Sequence, residues 1–315
     1  MPSTREMNLG SATRDAYGKA LAEIGKENPD VVVLDGDCSG STKSQAFAKE
    51  FPDRFFNFGI AEANMASAAA GFASCGKIPF ASSFSAFLMC KTYDQMRMSV
   101  ANPGLNVKFC GSHSGISIGQ DGASQMAVED IALACSLPKF TVLVPADETS
   151  TRALVKQAAA HEGPVFIRTG RPAVPLIYDD GETFEIGKAK TIRPGKDVTI
   201  IATGLLVWEA LEAAELCVEK GIDVRVIDMH TVKPLDEETI ITAARETGAI
   251  VTAEEHLLDG GLGSRVAQTV AQHHPVPMEF VGLRNTYAES GKPEELLERY
   301  GLTAKGIVSA IETVC

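Results

Sequence analysis

The apolar positions of this chain fall into short continuous runs, separated by stretches in which they recur at helical spacing. Val31-Val32-Val33-Leu34, Lys77 to Ser83, Val107 to Gly111, Thr141 to Val144 and Val165 to Arg168 read as buried strands, and Arg54 to Phe58 as another. A helix running from Ser11-Ala12-Thr13-Arg14 to about Lys26 puts Ala16, Ala20, Leu21 and Ile24 on one face. Further helices are expected at Lys43 to Glu50, Ser85 to Val100, Gln125 to Leu137 and Glu148 to His161. After Gly59 a helix of small residues opens with Glu62 in its first turn. Ala66, Ala69, Ala70 and Ala73 give it a face thin enough for close packing. Strand and helix alternate throughout, which predicts a mostly parallel sheet covered by helices on both faces.

The alternation stops near Val174. Two turn-rich stretches, Asp179-Asp180-Gly181-Glu182 and Arg193-Pro194-Gly195-Lys196, flank a short β segment from Phe184 to Lys190. Strands then return at Val198 to Ala202, Val224 to Asp228, Ala249 to Ala253 and Met278 to Gly282. Helices lie between them at Leu206 to Lys220, Asp236 to Thr247 and Gly263 to His273, and two short ones follow Pro293. The expected architecture is α/β in two domains, residues 1–178 and 197–315, each a mostly parallel sheet covered by helices, joined by a linker at 179–196.

Composition narrows the partners. Across 315 residues, 45% are apolar, enough for two cores. Twenty-nine basic against 41 acidic residues leave a net charge of −12, which argues against nucleic acid or an anionic membrane as partner. A site for an anionic substrate must therefore reverse the field locally. Seven scattered cysteines without paired spacing read as the reduced thiols of a cytoplasmic protein. Met-Pro-Ser-Thr-Arg-Glu at the N-terminus lacks the apolar core of a signal peptide, and no apolar run approaches a membrane span. No metal-ligand spacing is present: His273 and His274 are adjacent and cannot share a helix face.

Several stretches are candidates for chemistry. An acidic residue in a first helical turn is usually a dipole partner. Glu62, however, follows Phe58 and Ile60, with no basic residue between Arg54 and Lys77. Buried there, it could hold or give a proton near neutrality, and on spacing alone the two readings stand even. The aromatics of Ser82 to Gln95 (Phe84, Phe87, Tyr93) read by spacing as core. The loop Gly111 to Gln125, with four glycines, brackets His113 and Asp121 at a strand's C-terminal end, as Asp35 to Thr42 follows another. Ligands of open α/β sheets sit at such ends. Arg14, Ser41, Arg168 and Arg171 read individually as surface or salt-bridge residues. Gly260-Gly261-Leu262-Gly263 has neither the Lys-Ser/Thr of a P-loop nor a dinucleotide fingerprint. It reads as a helix start against a strand or partner chain, with Glu254, Glu255 and His256 lining the same contact.

The stretch Phe58-Gly59-Ile60-Ala61-Glu62 resembles the catalytic glutamate motif in the pyrimidine-binding domain of thiamine-diphosphate enzymes, the transketolase family in particular. The resemblance implies that Glu62 hydrogen-bonds the ring nitrogen of the cofactor's aminopyrimidine. It implies that Phe87 stacks on that ring, with Phe84 and Tyr93 around it, while Cys90 stands where the family often has a second aromatic. Gly111 to Gln125 resembles the loop His-Asp-Ser-Ile-Gly-x-Gly-Glu-Asp-Gly-Pro-Thr-His. His113 then contacts substrate near the reacting carbonyl and Asp121 reads a substrate hydroxyl. Gln125 replaces the final histidine, an exchange that removes proton shuttling at that position. Arg14, Ser41 and Arg168 line up with residues that bind the sugar phosphate, and Arg171 with the phosphate-binding arginine of deoxyxylulose phosphate synthases. Asp37 falls where the family has an aspartate near the subunit interface.

The resemblance spans nearly the whole chain but only the C-terminal half of a full-length transketolase. The diphosphate-binding signature, Gly-Asp-Gly with a downstream Asn, is missing, and Gly36-Asp37-Cys38 breaks it at the third residue. The implied protein is one subunit of a split transketolase, pairing with an N-terminal transketolase subunit. It would form a homodimer through this chain and α2β2 overall. Thiamine diphosphate would lie between the two kinds of chain, with Mg²⁺ or Ca²⁺ ligated by the partner. A two-carbon ketol unit would pass from a ketose phosphate to an aldose. A 2-oxo acid dehydrogenase β subunit and a deoxyxylulose phosphate synthase-like enzyme are alternatives within the same chemistry, and a non-catalytic regulatory subunit is one outside it.

Overall fold

The structure, a computed structural model, describes residues 7–315. The six N-terminal residues, read above as lacking a signal peptide, lie outside the described residues. Among the described residues fourteen strands are formed: β1 Leu9–Ala12, β2 Val31–Asp35, β3 Phe55–Asn57, β4 Ile78–Phe84, β5 Lys108–Ser112, β6 Thr141–Leu143, β7 Val165–Arg168, β8 Ala173–Pro175, β9 Lys190–Arg193, β10 Val198–Ala202, β11 Val224–Asp228, β12 Thr231–Lys233, β13 Ile250–Leu257 and β14 Met278–Leu283. The first sheet has the order β12-β6-β7-β5-β4-β2-β3, the second β14-β13-β10-β11-β9, and β1 pairs with β8 alone. All neighbours in the two large sheets are parallel except β12 on β6 and β9 on β11. Two mostly parallel sheets flanked by helices are therefore present.

The continuous apolar runs became the central strands because both of their faces are covered. Val31, Val33, Phe80, Val165 and Ile167 pack under the helix Thr13–Glu27, together with Tyr17, Leu21 and Leu154. Val32, Leu34, Ala81 and Phe109 face the opposite layer, where Met65, Ala66, Ala69 and Ala70 of the helix Glu62–Ser74 lie flat against them. The alanine stripe lets that helix approach the sheet closely, as its spacing predicts.

Each sheet takes one antiparallel edge strand from beyond the expected boundaries. β9 lies within the stretch read as linker, yet it pairs with β11 of the second sheet. β12 follows β11 in sequence but crosses to β6 of the first. One apolar cluster accordingly contains residues from both halves of the chain, among them Phe166, Ile201, Ile227 and Met229.

Three local expectations are corrected. The linker strand is Lys190–Arg193 rather than Phe184 to Lys190; Phe184 instead buries its ring edge-on against Tyr178, 4.8 Å between centroids. The helix expected from Gln125 starts only at Asp130. The carbonyls of Ala127 and Val128 accept from Gly115 and Leu257 instead, at 2.8 Å each, so long-range pairing displaces the local helix. The helix from Ser85 breaks after Lys91, where the Thr92 hydroxyl bonds back to the Leu88 carbonyl. It continues as Tyr93–Gln95 and a wide turn at Met96–Ala101. Among the described residues, no helix is long and apolar enough to cross a membrane.

Candidate active site

The parallel strands β2, β3, β4, β5 and β7 end along one edge of the first sheet. The chain leaves β2 for β3 on one side and returns to β4 on the other. The crevice between the ends of β2 and β4 is thus a topological switch point, where ligands of open α/β sheets bind. Gly36, just past β2, marks its floor: a Cβ there would lie 3.3 Å from the Ser83 hydroxyl and 3.5 Å from Cγ of Glu62.

Glu62 is delivered to this crevice by a tight strand-to-helix turn. Gly59 holds φ +70°, and its N–H donates to the Asn57 side chain at 2.9 Å. The Glu62 residue is 3% exposed. Its carboxylate meets the Lys91 ammonium at 3.3 and 3.4 Å. Sequence spacing showed no basic neighbour; Lys91 arrives through the fold from 29 positions downstream. The same ammonium lies 4.4 Å from the centroid of Phe87, so one flexible, half-exposed side chain covers both groups. The Ser83 hydroxyl beside them is buried without a hydrogen-bond partner among the described residues. On the rim, Ile60 is 80% exposed.

Phe87 opens a stack of three rings. It lies parallel to Phe84 at 5.6 Å, and Phe84 lies parallel to His113 at 4.0 Å. The aromatics that spacing assigned to the core are therefore divided. Phe87 lies at the crevice under Lys91, while Phe84 sits between Phe87 and His113 and packs on the core cluster of Ile116 and Ile118. Tyr93 packs on the core behind, with its hydroxyl 2.6 Å from that of Ser136. Cys90 is exposed, with Sγ 3.8 Å from the Glu129 carboxylate.

His113 follows β5 in the left-handed region, φ +58°. Arg14 donates through Nη1 to His113 Nε2 at 2.9 Å and to the Ser41 carbonyl at 3.1 Å. Since arginine only donates, Nε2 is the acceptor and Nδ1 carries the proton, given to the Ser112 hydroxyl at 2.9 Å. Burial, then the charges of Arg14, Arg171 and Lys43, push the His113 pKa down to about 3. His113 is neutral at physiological pH and works as an oriented hydrogen-bonding group. Its NMR signal should hold its shift from about pH 8 to about pH 5, whereas a free histidine titrates near 6.5. A sigmoidal shift in that range would contradict the geometry. The linkage follows: below about 6.5 the unfolded chain takes up a proton that folded His113 refuses, so stability falls as pH falls.

Beyond His113 the loop is stitched to Arg171. This arginine donates to the Ile118 carbonyl at 2.5 Å and stands 3.8 Å from Asp121, each side chain 38% exposed. Gln125, at the loop's end, accepts from the Ser124 hydroxyl at 2.6 Å. Arg14 and Arg171 thus place positive charge beside neutral His113 in an acidic chain, and Arg14 Nε–H has no partner among the described residues.

Arg168 does not join them, and the expectation of a phosphate contact is corrected. Its side chain is 6% exposed and its Nε binds Asp130, itself 1% exposed, at 2.9 Å. Nη2 donates to the carbonyls of Ala127 and Glu255. Burial alone would drive both charges toward neutrality; the opposite charge wins, holding Asp130 below and Arg168 above their ordinary values. Glu254, Glu255 and His256 are also buried within this chain, and Glu255 and His256 accept from the Ser117 and Ala132 N–H groups of its first half. The Glu254 carboxylate accepts from Leu262 and Gly263 N–H at 2.8 Å each, so the first two N–H groups of the helix Leu262–His273 are bound to a carboxylate of this chain.

Two family models match the chain: the transketolase pyrimidine binding domain over residues 10–176 and the transketolase C-terminal domain over 187–307. A putative transketolase C-terminal section from Methanocaldococcus jannaschii is 44% identical, covering 95% of this chain and 94% of the relative. A 6-deoxy-6-sulfo-D-fructose transketolase subunit from Clostridium sp. is 43% identical, covering 96% and 94%. A solved structure described as a split gene transketolase, inactive β4 tetramer, is 50% identical, with a TM-score of 0.91 over 97% of this chain and 98% of that one.

Proposed function

The chain belongs to the transketolase family, and from that premise we propose that it is the pyrimidine-site subunit of a split, thiamine-diphosphate-dependent transketolase. The observation that carries the proposal is the crevice itself. A buried carboxylate, a half-buried aromatic face and a hydroxyl without a partner among the described residues converge there, and one half-exposed lysine touches both carboxylate and ring.

These residues fit an aminopyrimidine. Phe87, backed by Phe84, offers a stacking face, and Glu62 a carboxylate able to exchange a proton with the ring nitrogen. A ring that reaches both must displace Lys91. Bound thiamine diphosphate supplies the nucleophilic carbon that takes up the two-carbon unit. The chain's own part is to hold the ring, keep a proton available at Glu62 and orient the sugar. Asp121 addresses a substrate hydroxyl, His113 meets the carbonyl only by exchanging one of its present partners, Ser112 at Nδ1 or Arg14 at Nε2, Gln125 donates or accepts but cannot shuttle a proton, and Arg14 with Arg171 draws the anionic end. Ser41 supports Arg14 through its carbonyl.

Phosphorylated sugars are the proposed substrates. The name of the Clostridium relative makes a sulfonated sugar the second reading, since the same guanidinium pair would meet either anion. Mg²⁺ or Ca²⁺ would be ligated by the N-terminal transketolase subunit; among the described residues no cluster of His, Cys, Asp or Glu could hold a metal. Exposed Ile60 and the open ring edge give that partner an apolar contact. We propose an α2β2 assembly built on a homodimer of this chain, in the cytoplasm.

The test is ketol transfer from xylulose phosphate to an aldose phosphate. The chain alone, an N-terminal transketolase half alone and their mixture should give activity only in the mixture. Decarboxylation of a 2-oxo acid without ketol transfer would promote the dehydrogenase alternative. No reaction of either kind would promote the regulatory one.

A further inference from the structure

The second domain contributes none of the residues placed at the site, yet strand β13 ends directly beneath the substrate loop. We propose that Glu255 of β13 is a positioning residue, whose carboxylate fixes the His113–Asp121 loop by seating its backbone. The inference rests on the functional reading above only for what the loop does.

The contact is backbone to carboxylate. Glu255 Oε1 accepts from the Ser117 N–H at 2.5 Å. Gly115, at φ +79°, lies so close that a Cβ on it would overlap the same carboxylate. The loop therefore rests on Glu255 at two points between His113 and Asp121. The residue is 3% exposed, and burial, opposed by Arg168, raises its pKa to about 7. An acid held there carries a desolvation cost that an apolar side chain would avoid, so packing alone does not explain it.

Its surroundings fix the support in place. Arg168 donates to the Glu255 carbonyl at 2.9 Å and pairs with Asp130. The Asp130 oxygen that holds Arg168 also accepts from Ser85 at 2.7 Å. Ser85 follows Phe84, whose ring stacks on His113. The second domain thus reaches the histidine along two routes, beneath the loop and through the ring stack. A loop with four glycines needs such anchors, because a displacement of about 1 Å at a substrate-orienting group can cost about 10²-fold in rate.

Two measurements test this. Hydrogen exchange on the full chain reads the loop without any assay. Glu255→Ala should speed exchange of the Ser117 amide by about 100-fold or more, with protection in β10 and β11 unchanged. Glu255→Gln, which keeps an acceptor oxygen, should restore most of the protection. In the reconstituted enzyme, Glu255→Ala should lower kcat/KM for the sugar substrates by about 100-fold, with thiamine diphosphate affinity within about twofold of the parent. Unchanged Ser117 exchange in Glu255→Ala would overturn the proposal. So would equal loss of protection throughout the second domain in both variants, since that describes general destabilisation. If Glu255→Ala does not fold, Glu255→Gln decides: cofactor affinity lost in step with kcat/KM contradicts the positioning role. Absence of ketol transfer in the unsubstituted mixture would strike at the functional reading alone and leave the exchange result to decide this one.

Discussion

Glu62→Gln in the assembled enzyme is expected to lower kcat by about 10²–10⁴-fold, the range set by loss of a positioned proton-transfer group. The amide fills the same volume at the switch-point crevice and still hydrogen-bonds, but it cannot exchange a proton with the pyrimidine. Fold and thermal stability should be nearly unchanged. The pairing that is lost is with Lys91, half exposed and flexible, and such pairs contribute about 0–1 kcal/mol. Steady-state kinetics at saturating cofactor, with thermal unfolding of both proteins, checks both halves. Turnover near that of the parent enzyme would contradict the assignment of Glu62.

Arg168→Ala is expected to destabilise the chain by about 3–5 kcal/mol, because it strands the buried Asp130 carboxylate without its counter-ion. Denaturant unfolding measures this. Arg171→Ala should do the opposite: little loss of stability, and a KM for phosphorylated sugars raised about tenfold or more, with unphosphorylated analogues spared. The two arginines are three positions apart and look alike in sequence. If Arg168→Ala left stability intact and raised KM selectively, the buried-pair account would fail and Arg168 would return to the phosphate subsite.

That pair also shows where sequence reading stops. The fold was legible because period and burial are local properties. A run such as Val31–Leu34 between two helical stretches has few places to go except the centre of a parallel sheet. The glutamate motif was legible because turn, carboxylate and small-residue helix are contiguous. Arg168 was misplaced because its strand-end position is compatible with either a ligand or a buried acid, and Asp130 lies 38 residues away. Lys91 was missed for the same reason: only the fold brings it to Glu62. Glu254, Glu255 and His256 were read together as lining one interface with a strand or partner chain, whereas Glu254 closes the glycine turn and Glu255 turns toward the loop. The late helix start at Asp130 follows from two partners outside the helix, Gly115 in the preceding loop and Leu257 in β13, the second of which no window around Gln125 contains.

The central claim is that this chain holds only half of a cofactor site. Phe87 and Glu62 can grip a pyrimidine ring. Ring stacking, at about 0.5–1.5 kcal/mol beyond area burial, falls short of the cost of immobilising a ligand. The most direct measurement is calorimetric titration of thiamine diphosphate with Mg²⁺ into the chain alone, into an N-terminal half carrying the Gly-Asp-Gly signature, and into their mixture. The account predicts tight, saturable binding in the mixture and weak binding or none by the lone chain. Tight binding by the lone chain, equal to that of the mixture, would contradict it.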